Sequence, residues 1–148
     1  MGGLCKKKKR ATTVVAVSGY FDPLHIGHVR YIQAAKKLGD ILWVILNTDE
    51  QAVAKKGYCF MPYKERSEIL LAMKDVNAVL PNIDNDGSVA QSLSHYHPNI
   101  FAKGGDRGPF TLPPQEIITC NNLNIEIRYN VGGEKLQSSS ELVRQRLK

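Results

Sequence analysis

The chain has 148 residues, a length that suits one domain with a core large enough to need no disulfide staples. Its three cysteines, Cys5, Cys59 and Cys120, are odd in number and lack metal-ligand spacing, which predicts free thiols in a reducing compartment. The formal charge of +6 is no nucleic-acid signature, because Lys6, Lys7, Lys8, Lys9 and Arg10 supply five of the 20 basic residues and leave the rest nearly neutral.

The expected organisation is a basic tail over residues 1–11 and one domain over 12–148. The longest fully apolar run, 41–46, is far too short to span a bilayer, and nothing resembles a secretory signal, so a cytoplasmic protein is expected. The tail resembles lipid-anchored N-termini: Gly2 follows Met1, Cys5 is near, and a basic cluster comes next. Residue 6 is Lys where the acylation pattern has Ser or Thr, so peripheral membrane attachment is conditional on acylation and stands beside nuclear-import and solvated-tail readings.

In chain order, residues 13–18 form a short β-branched run closed by Gly19, which reads as a buried parallel strand. The turn Tyr20-Phe21-Asp22-Pro23-Leu24-His25-Ile26-Gly27-His28 follows at its carboxyl edge. From Ile26, apolar residues recur at helical spacing (Val29, Ile32, Ala35, Leu38) until Gly39. His25 and His28 share the first helical turn, where unpaired backbone N–H groups favour an anion and Gly27 carries no side chain to hold a phosphate away. An imidazole there donates to a phosphate oxygen and stabilises charge built up in phosphoryl or nucleotidyl transfer. The bland alternative has one histidine capping the helix and the other packed in the core.

Residues 41–46 predict a second buried strand, ending in Asn47-Thr48-Asp49, and a short helix then runs to Lys56. Lys55 and Lys56 either reach over the first turn toward a triphosphate or end the helix in solvent. The apolar loop 57–61 reads as a lid, a dimer contact or a packed loop. Pro62 opens a helix with Ile69, Leu70, Met73 and Val76 toward the core; Arg66 in its first turns is a candidate anion ligand, or else a partner of Glu65 or Glu68. A strand at 78–80, a polar turn at 82–87 and a helix from Ser88 to about Tyr96 follow. His95 and His97 have no third ligand nearby and read as surface or helix-end histidines.

The strand 100–102 runs into Lys103-Gly104-Gly105-Asp106-Arg107, a flexible charged loop suited to phosphates or hydroxyls. Pro113 and Pro114 start another helix, and 125–129 alternates like an exposed edge strand. Ser138, Ser139 and Ser140 precede a last helix over 141–147 and form either a second anion site or an ordinary N-cap. Strands alternating with helices predict an α/β, Rossmann-like three-layer sandwich, a five-stranded parallel sheet with helices on both faces and ligands beyond the strand carboxyl ends.

In order and spacing, the turn 19–22, His25 to His28, Lys37-Leu38-Gly39-Asp40, Asn47 to Asp49, Pro62 with Arg66, Lys103 to Asp106 and Ser138 to Ser140 together resemble the nucleotidyltransferase superfamily. That superfamily includes glycerol-3-phosphate cytidylyltransferase and the adenylyltransferase domain of the heptose-phosphate enzymes. The resemblance implies attack by a phosphorylated small molecule on the α-phosphorus of a nucleoside triphosphate, with release of pyrophosphate. It implies catalytic roles for His25, His28 and Lys56, and phosphate or nucleotide binding by Tyr20, Phe21, Gly27, Lys103, Gly104, Asp106, Ser138, Ser139 and Ser140. Asp22, Lys55 and Arg66 fall on the acceptor side. Mg²⁺ is implied on the triphosphate, with no metal site of the protein's own, and a homodimer is implied as the assembly.

Two departures bear on the base. The cytidylyltransferases carry an arginine ahead of the serine motif where this chain has Gly133-Glu134-Lys135, and Lys103-Gly104-Gly105-Asp106 is closer to the heptose adenylyl type. The expectation is therefore AMP or CMP transfer, leaning to adenylyl transfer to a sugar phosphate. A cytidylyltransferase of the glycerol-3-phosphate type is the alternative within the class, and a non-catalytic nucleotide-binding module the alternative outside it. His-Ile-Gly-His is shared with class I aminoacyl-tRNA synthetases, but these need a tRNA-binding domain and a basic surface.

Overall fold

The computed structural model describes residues 11–105, 108 and 110–133. Strand β1 (Val14–Gly19) and helix α1 (Ile26–Lys36) flank the histidine turn. They are followed by β2 (Ile41–Leu46), α2 (Asp49–Lys56), α3 (Tyr63–Leu71), β3 (Ala78–Pro81), α4 (Ala90–Tyr96), β4 (Ile100–Ala102), α5 (Pro114–Leu123) and β5 (Glu126–Arg128). Every strand pair is parallel, and the order is β3-β2-β1-β4-β5. The chain builds outward from β1 to β3, then crosses back to lay β4 on the other side of β1. That reversal opens a crevice beyond the carboxyl ends of β1 and β4, where open α/β sheets bind ligands.

The period-two geometry of the strands divides the apolar residues into two cores. Val15 and Val17 of β1, with Leu42, Val44 and Leu46 of β2, meet Ile32 and Ala35 of α1 and Leu70 of α3. Ala16, Ile45 and Phe101 face the other way, against Leu93 of α4 and Cys120 of α5. One sheet between two helical layers is the three-layer sandwich predicted. The edges carry the residues that edges tolerate: Pro81 ends β3, and β5 exposes Glu126 and Arg128, which pair with each other.

Local chemistry moves two helix ends. α1 stops at Lys36, short of the expected Leu38, and a Cβ on Gly39 would lie 2.8 Å from the Thr13 carbonyl, so the chain needs glycine to pass into β2. α4 begins at Ala90 rather than Ser88, because Ser88 Oγ accepts the Ala90 amide at 3.2 Å while the Asp84 carboxylate accepts those of Gln91 and Ser92 at 2.7 and 2.8 Å. His97 closes α4 with φ +53 and His95 lies in its last turn, so both are helix-end residues. Among the described residues no helix is long and apolar enough to cross a membrane. Residues 1–10 of the basic tail, Asp106, the serine motif and the helix expected over 141–147 lie outside the described residues.

Candidate active site

The turn after β1 is held by backbone contacts that orient both imidazoles. Phe21 sits at φ +49, a left-handed conformation that a bulky residue adopts only under constraint, and its buried ring meets His28 edge-on at 4.7 Å. His25 is the N-cap of α1: its Nδ1 accepts the Gly27 amide at 3.1 Å, while His28 Nδ1 accepts the His25 amide at 3.2 Å. The rings stack at 3.8 Å. A nitrogen that accepts an N–H carries no proton, so each neutral ring is the tautomer whose Nε2 is the donor. The capping reading and the anion-site reading are therefore compatible, since the cap uses Nδ1 and not Nε2. Gly27 is needed for a reason the sequence did not reveal: a Cβ there would stand 2.9 Å from His25 Cε1 and 3.1 Å from its Nδ1.

α2 delivers the lysines to this turn. Lys56 Nζ donates to the Asp22 carbonyl at 3.1 Å, lies 3.6 Å from the Asp22 carboxylate, and sits 5.4 and 5.2 Å from the ring centroids of Tyr20 and Tyr58. Lys55 is exposed, with Nζ 5.7 Å from the Tyr20 centroid. Burial raises the Tyr20 phenol, so the ring between these ammonium groups stays neutral. On the other flank, Tyr31 of α1 donates to the Ala102 carbonyl at the end of β4, and buried Lys103 places Nζ 3.4 Å from Ser18 Oγ. A Cβ on Gly105 would collide with the Gly133 carbonyl, so the loops after β4 and β5 meet beside the crevice at glycine distance.

Two expected acceptor ligands, Asp22 and Arg66, are instead bonded internally. Asp22 is fully buried, and its carboxylate accepts the Phe60 and Met61 amides at 2.8 and 2.5 Å besides facing Lys56. Arg66 is fully buried too. Its Nε donates to the Met61 carbonyl, Nη1 to those of Tyr20 and Asn47, and Nη2 to the Asp49 carboxylate, at 2.7 to 2.8 Å, with Cys59 Sγ at 4.0 Å. All five guanidinium hydrogens point at internal partners, which leaves none for an anion. Neither Glu65 nor Glu68 is its partner. Asp22 and Arg66 instead pin the 57–61 loop and the ends of β1 and β2 around the turn, making that loop packed in this conformation.

Sequence reasoning placed Asp49 in a motif without giving it a role; in the structure it joins Arg66, the Tyr63 amide and the Cys59 thiol. Burial alone would raise its carboxyl, but the Cys59 and Arg66 contacts outweigh that and hold it below the usual range. The signal was an aspartate at a strand end ahead of a cation-bearing helix, whose partner the sequence does not show. Burial and the bond to Asp49 push the Cys59 thiol up, and burial pushes Cys120 up to about 11, so neither is activated as a nucleophile.

An imidazole pair at a helix start, a lysine over the turn and a second lysine under the crevice, all at the switch point of a doubly wound sheet, define a phosphate-handling α/β domain. The chain belongs to the cytidylyltransferase-like family of nucleotidyltransferases, whose model matches residues 16–146. It is 30% identical over 139 residues to the bifunctional protein HldE of Syntrophotalea carbinolica, covering 93% of this chain and 28% of that protein. It is 34% identical over 143 residues to HldE of Citrifermentans bemidjiense, covering 95% and 28%. The chain thus spans little more than a quarter of the relatives it matches. A lipopolysaccharide core biosynthesis protein from Thermoplasma volcanium shares the fold, with a TM-score of 0.69 at 24% identity over 86% of this chain and all of that one.

Proposed function

We propose that the domain transfers a nucleoside monophosphate, in the first place AMP, from a nucleoside triphosphate to a phosphorylated small molecule, in the first place a sugar phosphate. An oxygen of the acceptor phosphate forms the new bond to the α-phosphorus. The bond from that phosphorus to the bridging oxygen breaks, and pyrophosphate leaves with the electron pair. The acceptor is already an anion, so the site needs alignment and charge stabilisation rather than a strong base. The observation that carries the reading is the pairing of Nδ1-capped imidazoles with Lys56 on one turn. It is supported by the family membership and by the HldE relatives.

In this reading the Nε2 protons of His25 and His28 meet phosphate oxygens as charge develops, with the backbone of Tyr20, Phe21 and Gly27 beside them. Lys56 and Lys55 neutralise charge from the α2 side, and Lys103, Gly104 and Asp106 serve the nucleotide. Ser138, Ser139 and Ser140 take the outer phosphates. Mg²⁺ bound to the triphosphate would supply charge neutralisation. The turn's one carboxylate, Asp22, is taken by two amides and Lys56, so the groups here suit phosphate oxygens and the ion would be held through the triphosphate. A homodimer with the exposed Phe60 in or near the contact belongs to the same proposal, as does membrane attachment if the N-terminus is acylated. Pyrophosphate release with ATP, CTP, GTP and UTP, each against sugar, polyol and amino-alcohol phosphates, tests it. Release by ATP with a sugar phosphate is expected, and nucleotide binding without release from any combination would leave a binding module.

A further inference from the structure

Tyr31 lies three residues after His28 on α1, so the two side chains leave one side of the helix, a turn apart. Its half-buried ring packs against the core between α1 and the sheet. Its hydroxyl goes further and donates to the carbonyl of Ala102, the last residue of β4 and the one before Lys103. Apolar packing has no direction, whereas an O–H···O bond fixes where a helix stands against a strand end.

The segments after β4 and β5 are joined to each other as well as to this helix. The Lys103 amide donates to the Arg128 carbonyl at 2.8 Å, and the Val131 amide to the Lys103 carbonyl at 2.9 Å. Gly132 then passes against α1: a Cβ on it would lie 3.0 Å from Tyr31 Cα, and its φ of +90 would strain any side chain. Tyr31 thus meets one segment through its hydroxyl and the other through its own backbone. Between them, buried Lys103 has Nζ 3.4 Å from Ser18 Oγ and 4.8 Å from the Phe101 ring centroid.

We propose that Tyr31 is a positioning residue for the nucleotide: its hydroxyl ties the helix that carries His25 and His28 to the end of β4, and so sets where a nucleotide held by Lys103 and Gly104 lies relative to the two imidazoles. The inference rests on the transfer reading of the turn. Tyr31 acts through Ala102 and Gly132 rather than by contact with substrate. The turn itself is held from the other flank, where Lys56 bonds the Asp22 carbonyl and the Asp22 carboxylate takes the Phe60 and Met61 amides. Loss of the hydroxyl therefore shifts the nucleotide side and leaves the phosphate site at the turn in place. Phenylalanine keeps the ring and its packing, which separates this role from that of a core side chain.

The test compares the full wild-type chain with Tyr31→Phe in three measurements: binding of ATP, CTP, GTP and UTP with Mg²⁺, binding of inorganic phosphate followed by the amides of the turn, and pyrophosphate release. In Tyr31→Phe the tightest-bound nucleotide is expected to weaken about fivefold and its KM to rise alike, the strength of one hydroxyl bond, with kcat and phosphate binding each within about twofold of wild type. The thermal midpoint is expected to stay within a few degrees. Gly132→Ala should weaken the same nucleotide, and the double variant should fall short of the product of the single effects, because both act on one contact. Unchanged nucleotide affinity in Tyr31→Phe, an equal loss of nucleotide and phosphate, a fall in kcat at unchanged KM, or fully multiplicative effects would each overturn the role given to Tyr31. Nucleotide bound by the wild type with no pyrophosphate release from any acceptor overturns the transfer reading instead, and the binding comparison still decides Tyr31. A wild type that binds no nucleotide overturns both.

Discussion

His28 uses its two ring nitrogens for different ends. Nδ1 accepts the His25 amide at the start of α1, and Nε2 is the nitrogen that carries the proton in the neutral ring. Replacing His28 by Ala removes one capping bond, a loss of about 1 kcal/mol, but removes the donor on which transfer depends. The expected result is a fall in kcat of about a hundredfold or more with the thermal midpoint lowered by only a few degrees. Arg66 should behave in the opposite way. Arg66→Met strips the charged donor from three carbonyls and Asp49, so urea unfolding should report a loss of about 3 kcal/mol or more; a change below about 1 kcal/mol would show that the clamp is not needed. Sequence made Arg66 look like a ligand because it displays charge and position but not burial. The partner that consumes Arg66, Asp49, is 17 residues away, and the carbonyls it holds have no sequence signature.

At the scale of elements, the buried strands were legible because β-branched and aliphatic runs of five or six residues bounded by glycine and polar turns have few other solutions. The helix ends were less so, since side chains from elsewhere decide them: Asp84, outside α4, takes the amides that fix where α4 begins. Gly27 separates local propensity from function. Ala is a better helix former by about 1 kcal/mol, yet its Cβ would stand 2.9 Å from His25 Cε1. Gly27→Ala is thus expected to keep or raise the thermal midpoint while lowering kcat at least about tenfold through displacement of the His25 ring. Ile32, on the core face of α1 and fully buried, gives the contrasting case. Ile32→Ala should cost about 2–5 kcal/mol of stability with kcat per folded molecule little changed.

Across the whole molecule, the doubly wound sheet brings together residues as far apart in sequence as Ser18 and Lys103, whose contact spans 85 positions. The α/β alternation made that crevice legible, whereas the buried network among Asn47, Gln51, Asn82 and Asp84 was not, because its residues lie in polar runs that read as ordinary turns. Stability should carry a mark of the clamp as well. The Asp49 carboxyl is held below its ordinary value of 3.8, so on acidification the unfolded chain takes up the proton first. Its contribution is complete above that value and is lost as pH falls through the lower folded one; Asp49→Asn should flatten the acid limb of the urea-unfolding profile. The measurement closest to the central claim is pyrophosphate release by the full chain with ATP and a sugar phosphate, run beside His28→Ala. The account predicts release by the wild type that needs both substrates and is reduced about a hundredfold or more in the folded variant; no release with any nucleotide and acceptor, or equal release by the variant, would contradict it.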